Sequence, residues 1–108
     1  MIEIIYYREH FRVTVKGHAG TAPKGEDLVC AAVSALAYTL AENARNLCEI
    51  GAADNFVCKL GSGDAEVSFR PKARARSTCG LVMRAVCAGF SLIAEKYPEA
   101  VHYEIHGG

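Results

Sequence analysis

His18 and Cys30, twelve positions apart, are the residues of this chain best suited by type and setting to covalent chemistry. A free thiol has a pKa of roughly 8.5 and is only slightly ionised at neutral pH; an imidazole that takes its proton makes it a nucleophile. Residues 17–26, Gly-His-Ala-Gly-Thr-Ala-Pro-Lys-Gly-Glu, read as a loop. Gly17, Gly20 and Gly25 would let that loop close over a substrate and exclude water. Asp27 follows as an expected helix N-cap, which would put Cys30 in the first turn. There the positive end of the helix dipole and free backbone amides would favour thiolate and hold the oxyanion of an acyl intermediate. Ser34 lies one helical turn beyond Cys30 on the same face, placed to hydrogen-bond near the thiol or simply to pack. A cysteine in an apolar helix is, as a rule, a small buried hydrophobe, and a histidine after a glycine is often only a turn residue. Residue chemistry alone therefore stops at a candidate Cys–His dyad and does not separate a protease from a thiol redox protein.

The elements that would position this pair follow from periodicity. Ile2 to Tyr7 reads as a strand apolar on both sides, and Phe11, Val13 and Val15 alternate with Arg12, Thr14 and Lys16, so a first hairpin is expected. From Asp27 the spacing of Val29, Val33, Leu36, Leu40, Ala44 and Leu47 is helical, with a stop at Gly51. Phe56 to Leu60, the turn Gly61-Ser62-Gly63-Asp64 and Ala65 to Phe69 form a second hairpin. A second helix runs from Ser77 to Lys96, capped by Ser77 or Thr78 and ended by Tyr97-Pro98, and Val101, Tyr103 and Ile105 make a last strand. The order ββαββαβ predicts an α+β fold, a mainly antiparallel sheet packed with two helices in one domain over residues 1–108.

Composition narrows the function classes. Twelve basic and twelve acidic residues cancel, which argues against a generic polyanion binder. No run of consecutive apolar residues approaches the ~20 needed to span a bilayer, and the N-terminus lacks the basic region of a signal peptide, so no membrane association and a cytoplasmic location are expected. Five cysteines without a Cys-x-x-Cys pair fit reduced thiols rather than a disulfide scaffold or a zinc site. Cys48, Cys58, Cys79 and Cys87 read as structural. His102 and His106 fall on one side of the last strand, either facing solvent or forming half a metal site. Arg70-Pro71-Lys72-Ala73-Arg74-Ala75-Arg76 concentrates basic residues before the second helix, either as a solvated loop or as a contact for RNA or an acidic partner.

Gly17-His18-Ala19-Gly20, followed by Gly25-Glu26-Asp27-Leu28-Val29-Cys30-Ala31-Ala32-Val33-Ser34-Ala35-Leu36, resembles the ribosomal-processing cysteine protease family of Firmicutes and their relatives, called Prp. Leu92-Ile93-Ala94-Glu95-Lys96-Tyr97-Pro98 is also similar to the family, so the resemblance covers nearly the whole chain. It implies His18 as general base and Cys30 as nucleophile, with Asp27 and Ser34 on family-typical positions and no metal or cofactor. It also implies a homodimer acting on a ribosomal protein precursor, the N-terminal extension of large-subunit ribosomal protein twenty-seven. That extension ends in an apolar and aromatic stretch, so the cleft should hold Phe-like side chains. The chain departs from the family at Gly20 to Lys24, which lack the aromatic residue of many relatives, and at Glu42-Asn43-Ala44-Arg45. The competing reading is a non-catalytic ribosome-associated assembly factor that binds RNA through Arg70 to Arg76.

Overall fold

A computed structural model describes residues 1–18 and 24–107, with side chains for 1–18 and 28–107. Strand β1, Ile2–Tyr7, sends Ile2, Ile4 and Tyr6 inward, and β2, Arg12–Lys16, adds Val13 to the same core. A short 3-10 turn over Arg8–His10 joins them and ends at Phe11, whose φ of 47° is unusual for an aromatic residue. Burial secures that conformation: the Phe11 ring packs on Phe69 with centroids 5.7 Å apart.

Helix α1 spans Lys24–Glu49 and stops as the sequence predicts. Gly51, at φ 77°, closes it, while the Ala52 amide reaches back to the Leu47 carbonyl at 2.9 Å and the Gly51 amide to Cys48 at 3.1 Å. This pairing satisfies carbonyls that the helix end would otherwise leave bare. Strands β3, Ala53–Gly61, and β4, Asp64–Pro71, form the second hairpin. β3 starts earlier than the alternation of Phe56 to Leu60 suggests, because a register irregularity between Asp54 and Val57 interrupts the pattern, with Asn55 at φ 54°. Helix α2, Arg76–Lys96, and β5, Val101–His106, complete the chain.

The sheet order is β3-β4-β2-β1-β5. Every neighbouring pair is antiparallel except β1 with β5, where Ile4 lies beside Tyr103 in a parallel ladder. Both helices bury residues in one cluster with the inward face of the sheet: Val29, Val33 and Leu40 from α1, and Cys79, Met83, Cys87 and Phe90 from α2. The opposite face carries polar side chains such as Glu3, Lys16 and the Arg12–Glu66 pair at 2.7 Å. The fold is therefore the α+β arrangement expected, two helices on a mostly antiparallel sheet.

Two expectations about the helices need correction. α2 begins after Ala75, with no side-chain cap from Ser77 or Thr78, because the chain enters it through a 3-10 turn at Ala73–Ala75 whose backbone bonds lead directly into the helix. The segment Ala73–Lys96 is also long and apolar enough to cross a membrane by length and composition, with a mean hydropathy of 1.6 over an 18-residue window. Interspersed Gly, Ser, Thr and Cys hide this from a search for unbroken apolar runs. One face of α2 builds the core, and Leu81 and Leu92 lie exposed on the other.

Phe90 is fully enclosed between α2 and the sheet, near Tyr103. Phe90→Ala should destabilise the fold by about 3–5 kcal/mol, read as a lower urea midpoint with little change in slope.

Candidate active site

β2 ends at Lys16, and the backbone beyond it is held from two sides. The Gly17 amide donates to the Gly63 carbonyl at 2.9 Å, and the Met1 nitrogen donates to the His18 carbonyl at 2.7 Å. Close approach requires glycine at both positions. Gly17 has φ 96°, and a Cβ there would lie 2.3 Å from the Met1 carbonyl oxygen. Gly63 has φ 70°, and a Cβ there would lie 2.3 Å from His18 Nε2, so the imidazole rests against the bare face of the β3–β4 turn.

Across from this turn, α1 turns Cys30 out of its apolar row. Val29 and Val33 are buried, Cys30 is half-buried and Ser34 is exposed. His18, Cys30, Ser34 and Gly17 line one cavity of about 360 Å³. Tyr38 and Leu60 add apolar surface to it, and Gly61 to Asp64 close one side. Tyr38 lies two helical turns from Cys30 and is largely exposed. An extended segment bearing apolar or aromatic side chains would find here a thiol, an imidazole, a hydroxyl and an apolar wall.

The structure shifts several of the expected roles. α1 starts at Lys24, so Asp27 and Gly25 lie inside the helix rather than at a cap and in a loop. A proline directly before a helix suits its start, since it has no N–H to satisfy and its φ is already helical. Cys30 is consequently the seventh helical residue, not the third. An amide that far in is committed to the carbonyl four residues back, and the dipole effect fades beyond the first turn. The Cys30 amide is thus not free to hold an oxyanion. Gly20 and the Asp27 side chain lie outside the described residues.

The Gly63 turn went unread as part of the site. Gly61-Ser62-Gly63-Asp64 signals a tight turn, but only the pairing of β2 with β4, which sets Lys16 beside Asp64, brings it to His18. Asp64 accepts from Lys16 Nζ at 2.7 Å and from Lys59 Nζ at 2.6 Å. These two bonds hold its carboxyl down at a pKa of about 2. The clamp ties β2, β3 and β4 together beside the imidazole.

Other thiols have different surroundings. Burial pushes Cys87 up to about 11, and it also raises Cys79 and Cys48, so all three resist ionisation. Cys58 is exposed on the edge strand β3. His102 and His106 both face Glu104, at 3.2 and 2.9 Å, and no cluster of three metal-ligating side chains occurs among the described residues. The basic run is divided. Arg70 and Lys72 pair with Asp54 at 2.9 and 3.1 Å, Arg74 reaches the Gly51 carbonyl, and Arg76 lies over the Phe11 ring.

An α+β sheet that sets a thiol and an imidazole on one cavity has the parts of a cysteine peptidase. A family model described as cysteine protease Prp matches residues 1–102, and the chain belongs to that family. No curated protein matches the chain. Among solved structures, SMU.848 from Streptococcus mutans is similar at 28% identity and a TM-score of 0.62, over 96% of this chain and 90% of that one. The ribosomal processing protease Prp from S. aureus, in complex with a substrate peptide, is similar at 19% identity and a TM-score of 0.68, over 97% of both chains. The same protease with a covalently linked product peptide gives 20% and 0.67, again over 97% of both. At these identities the S. aureus structures establish the shared fold.

Gly63→Ala should cost about 1 kcal/mol or more at its positive φ and displace the imidazole. Peptidase activity should fall further than the thermal midpoint accounts for, whereas Gly51→Ala, strained but with nothing near its Cβ, should lower stability alone. Asp64 is depressed in the folded state, so its favourable contribution is present above the unfolded value near 4 and lost as pH falls through about 2. A carboxyl-carbon NMR titration should place its midpoint near 2, and Lys59→Gln should move that midpoint upward.

Proposed function

We propose that this protein is an endopeptidase in which Cys30 is the nucleophile and His18 the base, and that it removes the N-terminal extension of large-subunit ribosomal protein twenty-seven. Family membership supports the reaction class, and the S. aureus relative, a ribosomal processing protease that binds a substrate peptide, supports a peptide substrate of ribosomal processing. The observation that carries the reading is the convergence of His18 and Cys30 on one cavity from the end of a strand and the side of a helix.

His18 takes the proton of the Cys30 thiol, and Sγ adds to the scissile carbonyl carbon to give a tetrahedral oxyanion. The C–N bond then breaks as His18 returns that proton to the leaving amine, leaving a thioester. Water, deprotonated by His18, attacks the thioester; the carboxylate product departs and Sγ recovers the proton. The oxyanion needs donors other than the Cys30 amide. Ser34 and Ser62, which line the cavity, carry hydroxyls suited to that role. Tyr38 and Leu60 would receive the apolar and aromatic residues that end the extension. Asp27 keeps a supporting role on the strength of the family position. The protein would act in the cytoplasm as a homodimer, with exposed Leu81 and Leu92 on α2 offering apolar surface for a second copy.

An assembly factor that binds RNA through Arg70 to Arg76 finds less support, because Arg70 and Lys72 are already paired with Asp54.

Incubation of the purified protein with the extended precursor should release the extension. Cys30→Ser and His18→Ala should each lower the rate by at least about a thousandfold while leaving the circular dichroism spectrum unchanged. Cleavage by Cys30→Ser at the wild-type rate would end the proposed mechanism.

A further inference from the structure

At the end of the sheet away from Cys30, a second cavity of about 430 Å³ opens where β1 leaves the sheet and α2 begins. Arg8, Arg76 and Arg84 line it. Among the described residues none of these three is paired with a carboxylate, whereas Arg12, Lys16, Arg45, Lys59, Arg70 and Lys72 all are. The one acidic side chain at the rim, Glu9, packs its Cγ toward Gly107 and makes no ion pair with the arginines. The pocket therefore holds three guanidinium groups against one carboxylate.

Its floor carries an unmet polar group as well. Tyr6 is 2% exposed and lines the cavity, and its hydroxyl makes no hydrogen bond among the described residues. A buried hydroxyl without a partner is costly and calls for an explanation. Burial and the Cys87 thiol raise the Tyr6 pKa, and the charges of Arg84 and Arg8 oppose that rise. The first turn of α2 receives no side-chain cap and contains no acidic residue, and Ser77 adds a hydroxyl to the wall. Two arginines are steadied. Arg76 lies over the Phe11 ring, 5.0 Å from its centroid, and Arg84 Nη1 passes over Gly80, where a Cβ would lie only 3.3 Å away.

We propose that this pocket binds a phosphate group, with Arg8, Arg76 and Arg84 as charge partners and Tyr6 and Ser77 as neutral donors. Guanidinium forks match the oxygens of a tetrahedral anion, and a helix start favours negative charge. The volume exceeds what the phosphate alone fills and leaves room for the small organic portion of a phosphomonoester. Pairing of Arg70 and Lys72 with Asp54, and a formal net charge of zero, leave no continuous basic track for a nucleic-acid backbone.

The test is titration of the full chain at fixed ionic strength with inorganic phosphate, a nucleoside monophosphate and a short single-stranded RNA without a terminal phosphate, followed by calorimetry and thermal melting. Phosphate and the monophosphate should each raise the melting temperature above that in matched chloride, with the monophosphate binding more tightly. The Arg76→Gln/Arg84→Gln pair should weaken the monophosphate at least tenfold and Tyr6→Phe several-fold, while Arg70→Gln should bind like wild type. Both arginines are exposed, so their replacement leaves the core intact. Equal melting in phosphate and chloride, unchanged binding in the double variant, or tighter binding of the RNA than of the monophosphate would overturn the proposal.

Discussion

The approach of the backbone at Gly17 to the turn at Gly63 sets the position of the imidazole, and through it everything the cavity can do. No side chain fits at either point, and the bond between the Gly17 amide and the Gly63 carbonyl joins the end of β2 to the tip of the neighbouring hairpin. β2 is itself fixed on both sides, by β1 and by β4, so the histidine that follows it starts from a rigid platform. Cys30 is fixed independently by the buried row of α1, with Val29 and Val33 flanking it. Cys30 and His18 thus come from two elements that share one hydrophobic core.

Much of this was legible in the sequence, for identifiable reasons. The helical spacing from Val29 to Leu47 and the alternation from Phe11 to Lys16 mark elements that bury one face each, and both appear within a few residues of their expected bounds. The histidine and cysteine stood out through the joined motifs Gly17-His18-Ala19-Gly20 and Asp27 to Ser34, since either residue alone has an ordinary structural reading. Less legible was the start of α1. Asp27 is a strong capping residue, but Pro23 offers an equally good entry four positions earlier, and local preference cannot rank the two. The contribution of Gly63 was out of reach, since it depends on β4 pairing with β2 rather than only with its hairpin partner β3. Likewise the run from Arg70 to Arg76 reads as one basic stretch, yet its members meet different partners, and Asp54 pairs with two of them.

Charge is accordingly distributed by location along the strands. Near the cysteine, Asp64 is clamped between two lysines and the remaining wall is apolar or hydroxylated. At the opposite end, arginines predominate. A chain with no net charge can in this way present two chemically distinct openings, separated by strands whose inward residues belong to a single core.

The parallel ladder between β1 and β5 carries a consequence for how the molecule is made. The first strand is an inner strand, yet one of its neighbours is the last strand of the fold, almost the whole length of the chain away. During synthesis the hairpin of β1 and β2 can form early, but its outer edge stays unpaired until Val101–His106 has left the ribosome. Assembly is therefore completed by a contact of very long range, which slows folding, and the platform beneath His18 becomes secure only once β5 has joined β1.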